Sequence, residues 1–141
     1  LQELASKQGK VGWFESAKYE NGKPVAEIAA QNEFGNPAKN IPPRPTVRPA
    51  AIENKTRWSN LAAWQAKMIL EGKATAQSAM ETLTLDAQNA ISKNIATLTA
   101  PPLAPATIAT RARRGNSSTK PLIDSGLEFA TLTSVVEDAN T

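Results

Sequence analysis

Cysteine and histidine are both absent from the 141 residues of this chain. Without cysteine there is no disulfide, no thiolate nucleophile and no zinc-thiolate site. A cysteine-free chain fits a reducing compartment or an assembled particle. Without histidine the side chain that most often moves protons near neutral pH is missing. Aromatics make up only 5% of the chain, and alanine supplies much of its hydrophobic fraction. That composition predicts thin helical layers that finish their burial against a partner. No stretch approaches the ~18 apolar residues of a membrane-spanning helix, which predicts no membrane contact. The chain opens at Leu1 rather than methionine, which predicts a processed or partial chain. The formal net charge of +3 is mild. A DNA-binding domain generally concentrates more positive charge on one face.

What the chain does have is proline, ten in all. Four stand in Ile41-Pro42-Pro43-Arg44-Pro45-Thr46-Val47-Arg48-Pro49, directly ahead of a long helical pattern. Proline fixes φ, donates no backbone hydrogen bond and keeps the preceding residue out of the α region. Residues 36–49 therefore read as a stiff, extended strut suited to holding two bodies apart.

The length predicts a single domain over residues 1–141. Residues 1–9 read as the end of a helix closed by Gly9. Residues 11–16 read as a strand, with a turn at Asn21-Gly22. Pro24 and Gly35 bracket a short helix over 25–34, expected to present Ile28 and Phe34 to the core. A long helix starts between Thr46 and Pro49 and runs to about Leu70, with Trp58, Leu61, Met68 and Ile69 along one stripe. Gly72 stops it, and Thr75 caps a second long helix whose apolar stripe reaches Leu98. At 1.5 Å per residue each helix is about 35 Å long. The short connection makes them an antiparallel pair. A further short helix spans 106–112, and Asp124 or Ser125 is a cap for a turn at 127–130. Thr131–Glu137 is β-branched and alternating, and reads as the partner of the 11–16 strand. The expected fold class is α+β: two long antiparallel helices plus short helices packed on a small antiparallel β-sheet.

Trp58 and Trp64 lie six apart, about 120° off a common helix face. Either both pack on one wide buried face, or one is core and the other an interface anchor. Arg44 and Arg48 fit either a bridge to carboxylates on another chain or a salt bridge within this one, and the second reading is favoured for Arg48, which falls near Glu53. Arg111, Arg113, Arg114 and Lys120 form a basic loop over 111–120, expected to be mobile. Contact with an acidic neighbour or with phosphate fits that composition, and so does a plain solvated loop. No aromatic is interleaved there to stack on bases. Asp124-Ser125 has no matching base, no glycine loop of phosphate-binding type is present, and no carboxylates have metal spacing. The expectation is no enzyme, no cofactor and no metal.

Four stretches resemble a known pattern. Ala26-Glu27-Ile28-Ala29-Ala30-Gln31-Asn32-Glu33-Phe34-Gly35 followed by Ile41 to Ala50 is similar to the "A-x-I-A-x-x-x-E-F-G … I-P-x-R-P-F-x-R-P-A" signature. Pro102-Leu103-Ala104-Pro105-Ala106-Thr107-Ile108-Ala109 and Lys120-Pro121-Leu122-Ile123-Asp124-Ser125-Gly126-Leu127 resemble "P-L-S-P-x-T-I … K-P-L-I-D-T-G". Together, over about residues 10–137, they resemble the virion-morphogenesis, tail-completion and neck proteins of tailed bacteriophages. Thr46 stands where an aromatic is usual, Ala104 and Ser125 replace Ser and Thr, and Glu128-Phe129-Ala130 departs from a polar segment.

The resemblance implies a non-enzymatic virion protein at the head–tail junction, present in the host cytoplasm during assembly. Its implied partners are copies of itself in a ring, the head-side connector or portal proteins, and a tail terminator or tail tube protein. Packaged DNA would pass through the lumen. The expected interface residues are Pro42, Arg44, Pro45 and Arg48 on the strut, with Arg111, Arg113, Arg114 and Lys120 on the loop. The rival readings are a DNA-binding accessory protein using that loop, and a hydrolase or maturation enzyme.

Overall fold

In the computed structural model, residues 2–122 and 126–139 are described. Two long helices dominate. Helix α3 covers Val47–Leu70 and α4 covers Ala76–Thr97. Between them Gly72 adopts a φ of 73°, the left-handed turn that ends α3. The Lys73 and Gly72 amides then reach back to the Met68 and Ile69 carbonyls, closing the orphan end of the helix. Thr75 caps α4 as expected, with its hydroxyl accepting from the Ser78 amide. Ser78 answers by accepting from the Thr75 amide through its own hydroxyl. Two orphan donors are thus met by one short Thr-x-x-Ser box.

The remaining helices are α1 (Gln2–Ala5), α2 (Val25–Phe34), α5 (Pro105–Arg113) and α6 (Leu127–Thr131). Strands β1 (Lys7–Gly12) and β2 (Thr133–Asp138) form one antiparallel two-stranded sheet. The α+β class is as the sequence predicts.

Several expectations are corrected in position. The first strand is 7–12, not 11–16, and the helical segment before it stops at Ala5. Lys-Gln-Gly-Lys carries no β-branched signal. Tertiary packing selects the strand: α4 lies across both strands, and Gly9 sits so close that a Cβ there would fall 1.8 Å from Thr84 Cγ2. The register Gly9↔Val136 is the one that presses this bare backbone on the helix. The second strand starts at Thr133 rather than Thr131 because α6 extends through Thr131. The cap reading at Asp124 and Ser125 lies outside the described residues.

Burial is thin. The core cluster joins Ala50, Ile91, Ile95, Leu122 and Leu132, with Val11, Trp13, Trp58 and Leu98 packed at its edge. Ala50 is the one fully buried residue recorded for α3. Four of the nine buried hydrophobic residues are alanines, so each burial contributes little transfer energy. Trp58 is half-buried and donates its indole N–H to Asp86, which also takes a two-pronged contact from Arg57. Trp64 is 54% exposed, with Lys67 over its ring. The two tryptophans therefore do not share a buried face.

Candidate assembly interface

Helix α2 turns Val25, Ala29 and Glu33 inward at a spacing of four. This rotation decides the geometry of the whole corner. It buries Glu33 and throws Phe34, one position later, outward, where it is 67% exposed. The expectation that Phe34 fills the core is corrected: the inward place belongs to the carboxylate.

Glu33 is there because α3 begins beside it. Its carboxylate accepts the amides of Thr46, Val47 and Arg48 at 2.7, 3.0 and 2.9 Å, and the Arg48 Nε at 3.1 Å. These amides belong to the start of a 24-residue helix, where no residue would otherwise satisfy them. A negative charge at that end also suits the helix dipole. Burial pushes the Glu33 carboxyl up, but the three amides and Arg48 together outweigh it and hold it below its ordinary value. Arg48 is therefore a partner of Glu33 rather than of Glu53. It also donates to the Glu33 carbonyl and lies over the Phe34 ring at 4.9 Å. Phe34 is thus an exposed aromatic held against a guanidinium that Glu33 fixes in place.

The strut is corrected as well. It does not stand away from the body. Residues 37–40 fold into a small self-closed loop, shut by mutual backbone bonds between Asn36 and Ile41. The chain then passes so near Gly35, whose φ is 76°, that a Cβ there would fall 2.9 Å from Pro43. Arg44 is only 8% exposed. Its guanidinium donates to the Pro101 and Pro102 carbonyls at 2.9 and 3.1 Å, and its amide to the Asn32 carbonyl. Burial, with the nearby Arg111 charge adding to it, lowers its pKa. Arg44 is a strap across the molecule and is not available to a partner. Pro42 and Pro45 are half-buried along this strap, whereas Arg48 is exposed.

The basic loop divides in the same way. Arg111 belongs to the last turn of α5 and is 5% exposed. It donates to the Lys120 and Pro121 carbonyls, at 2.8 and 2.9 Å. The Asn116 amide returns to the Arg111 carbonyl. The expectation of Arg111 as an exposed contact residue is corrected: Arg111 is buried and bonds α5 to the end of the loop. Arg113, Arg114 and Lys120 remain on the surface.

A second buried acid completes the corner. Glu128, 5% exposed, accepts the Asn32 side-chain amide at 2.9 Å, and its backbone carbonyl accepts the Trp13 indole N–H. Burial raises its carboxyl to about 7, and the nearby Glu33 charge adds to the rise. It lines a cleft of about 850 Å³ with Lys18, Lys23 and Arg114 at the same opening. Among the described residues no three acids, histidines or cysteines are grouped to hold a metal ion. No described helix is long and apolar enough to cross a membrane.

Glu33 and Glu128 are the residues that sequence reasoning missed. The Glu-Phe pair of the motif was the available signal, since helical rotation admits only one of them to the interior. Comparison with known protein families, with characterised proteins and with solved structures finds no match for this chain.

Proposed function

We propose that the chain is a structural, non-enzymatic subunit of the head–tail junction of a tailed bacteriophage, working as one copy in a ring around the DNA channel. One observation carries this reading. The separate motif segments that resemble that family are bonded to one another. Glu33 of the first holds Thr46 to Arg48 of the second. Arg44 of the second holds Pro102 and its neighbour Pro101, at the third. Arg111, just beyond the third, holds Lys120 and Pro121 of the fourth. That these segments brace one another in the fold supports reading them together as one pattern. The ring would be gripped through the exposed Phe34–Arg48 corner and through Arg113, Arg114 and Lys120. Its neighbours would be the head-side connector and a tail terminator or tube protein. Many modest contacts repeated around a ring supply the strength.

The test is incorporation. A tagged chain supplied during particle assembly is expected at the head–tail junction in electron micrographs, with Phe34→Ala incorporated less well. Purified tailed particles lacking the chain overturn the reading. The rival DNA-binding role is read from a salt series with duplex DNA. A log–log slope near zero removes it, whereas a steep negative slope favours it.

A further inference from the structure

Among the described residues the sheet has two strands, so each has a side that pairs with no described strand. An isolated two-stranded ribbon is marginal, and an open edge is a template for another strand. The backbone bonding shows which groups are open. The Ala139 amide donates to the Ser6 carbonyl, which puts 6 and 139 at a hydrogen-bonded position of the ladder. In an antiparallel ladder such pairs alternate. Gln8 with Glu137, Lys10 with Val135 and Gly12 with Thr133 therefore bond inward. Lys7, Gly9 and Val11 of β1, and Ser134, Val136 and Asp138 of β2, point their amides and carbonyls outward.

These outward sets match each other. If β2 meets the β1 of another copy in the same register, Lys7 again faces Asp138, Gly9 faces Val136 and Val11 faces Ser134. Every outward group of both strands then finds a partner, in about six backbone bonds. Charge selects the same register. Within the chain Lys7 pairs with Asp138 at 2.7 Å, and Lys10 pairs with Glu137. The Asp138 side chain stays 73% exposed and that of Lys10 52% exposed, so both have room for a second partner. Pairing β2 with another β2 would bring no cation to Glu137 and Asp138. A groove of about 690 Å³ is lined by Ser134 and Val135 of β2 together with Phe14, Ala17 and Ala130. Phe14 and Val135 are both partly exposed there.

We propose that copies of this chain join edge to edge, β2 of one pairing antiparallel with β1 of the next to make a sheet that runs continuously between subunits. The contact is heterologous: each copy offers one edge and accepts the other, which generates a ring when the rotation closes. It rests on the ring-subunit reading above and names the contact that builds the ring.

The cysteine-free chain makes the test direct. Gly12→Cys and Thr133→Cys are made in separate chains, mixed at high concentration and oxidised. A Cβ at Gly12 meets nothing within 4 Å, and both sites leave the charged pairs untouched. Each thiol is first shown to react with a maleimide, and each variant to melt like the parent. The expected result is a mixed disulfide about tenfold over either homodisulfide. Homodisulfides in excess, or no disulfide with both thiols reactive, overturn the proposal. If the mixed disulfide forms but the chain is missing from tailed particles, the edge contact stands and the head–tail reading falls. Rings that form without the mixed disulfide sink the edge contact alone.

Discussion

The α3–α4 hairpin and the corner around Glu33 are built on opposite plans. The hairpin is regular, long and sparsely buried, with Ala50 fully covered on α3 and five such residues on α4. Its order comes from backbone bonds within each helix and from many small contacts along one seam. The corner is irregular, proline-rich and polar. Glu33, Arg44, Arg111 and Glu128 are all buried there, and each side chain bonds to another segment. In the hairpin one side chain matters little. In the corner one side chain serves several segments, so its loss leaves several buried groups unpaired.

Substitutions can break that contrast. The largest effect is expected at Glu33. Glu33→Ala strands three amides and a guanidinium, and is expected to cost about 3 kcal/mol in chemical denaturation. A loss under about 1 kcal/mol would show that water replaces the carboxylate and that the corner is not a keystone.

The next effect depends on pH. The Glu128 carboxyl titrates near 7 in the folded chain against an ordinary 4.5, so the folded state binds the extra proton in between. Stability is therefore expected to fall as pH rises from 4.5 to 7, by about 3 kcal/mol at most, and to stay level above 7. Glu128→Gln should flatten that slope in thermal melts across the window. Glu33 acts in the opposite sense and elsewhere: its lowered carboxyl contributes stability above 4.5 that is lost as pH falls further.

The hairpin should respond more weakly. Trp58→Phe removes the indole bond to Asp86 but leaves Arg57 on that carboxylate, and is expected to cost about 1 kcal/mol. Ile52→Ser, on the exposed side of α3, should change stability by no more than about 0.5 kcal/mol. A larger loss from Ile52→Ser would mean that α3 is covered in solution by another molecule.

The same division governs what the sequence revealed. Helix α2 was bounded correctly by Pro24 and Gly35, and α3, α4 and the Thr75 cap followed from periodicity, Gly72 and side-chain chemistry. Those signals are local. The corner was not legible, because burial of an arginine is decided by carbonyls far along the chain. Nothing near Arg44 announces Pro101, and nothing near Arg48 favours Glu33 over the closer Glu53. Strand β1 was misplaced for the same reason, since its order comes from β2 and α4 rather than from Lys-Gln-Gly-Lys-Val-Gly itself. The motif segments do not announce their mutual bonding, which is a property of the folded chain.

The small loop over 37–40 has a practical consequence. It is exposed throughout and shut at its base by Asn36 and Ile41, so its tip carries no part of the corner's bonding. A short epitope or fluorophore-acceptor peptide spliced between Ala38 and Lys39 should therefore leave folding intact. Sited a few residues from Phe34 and Arg48, such a graft would report directly on whatever docks beside it.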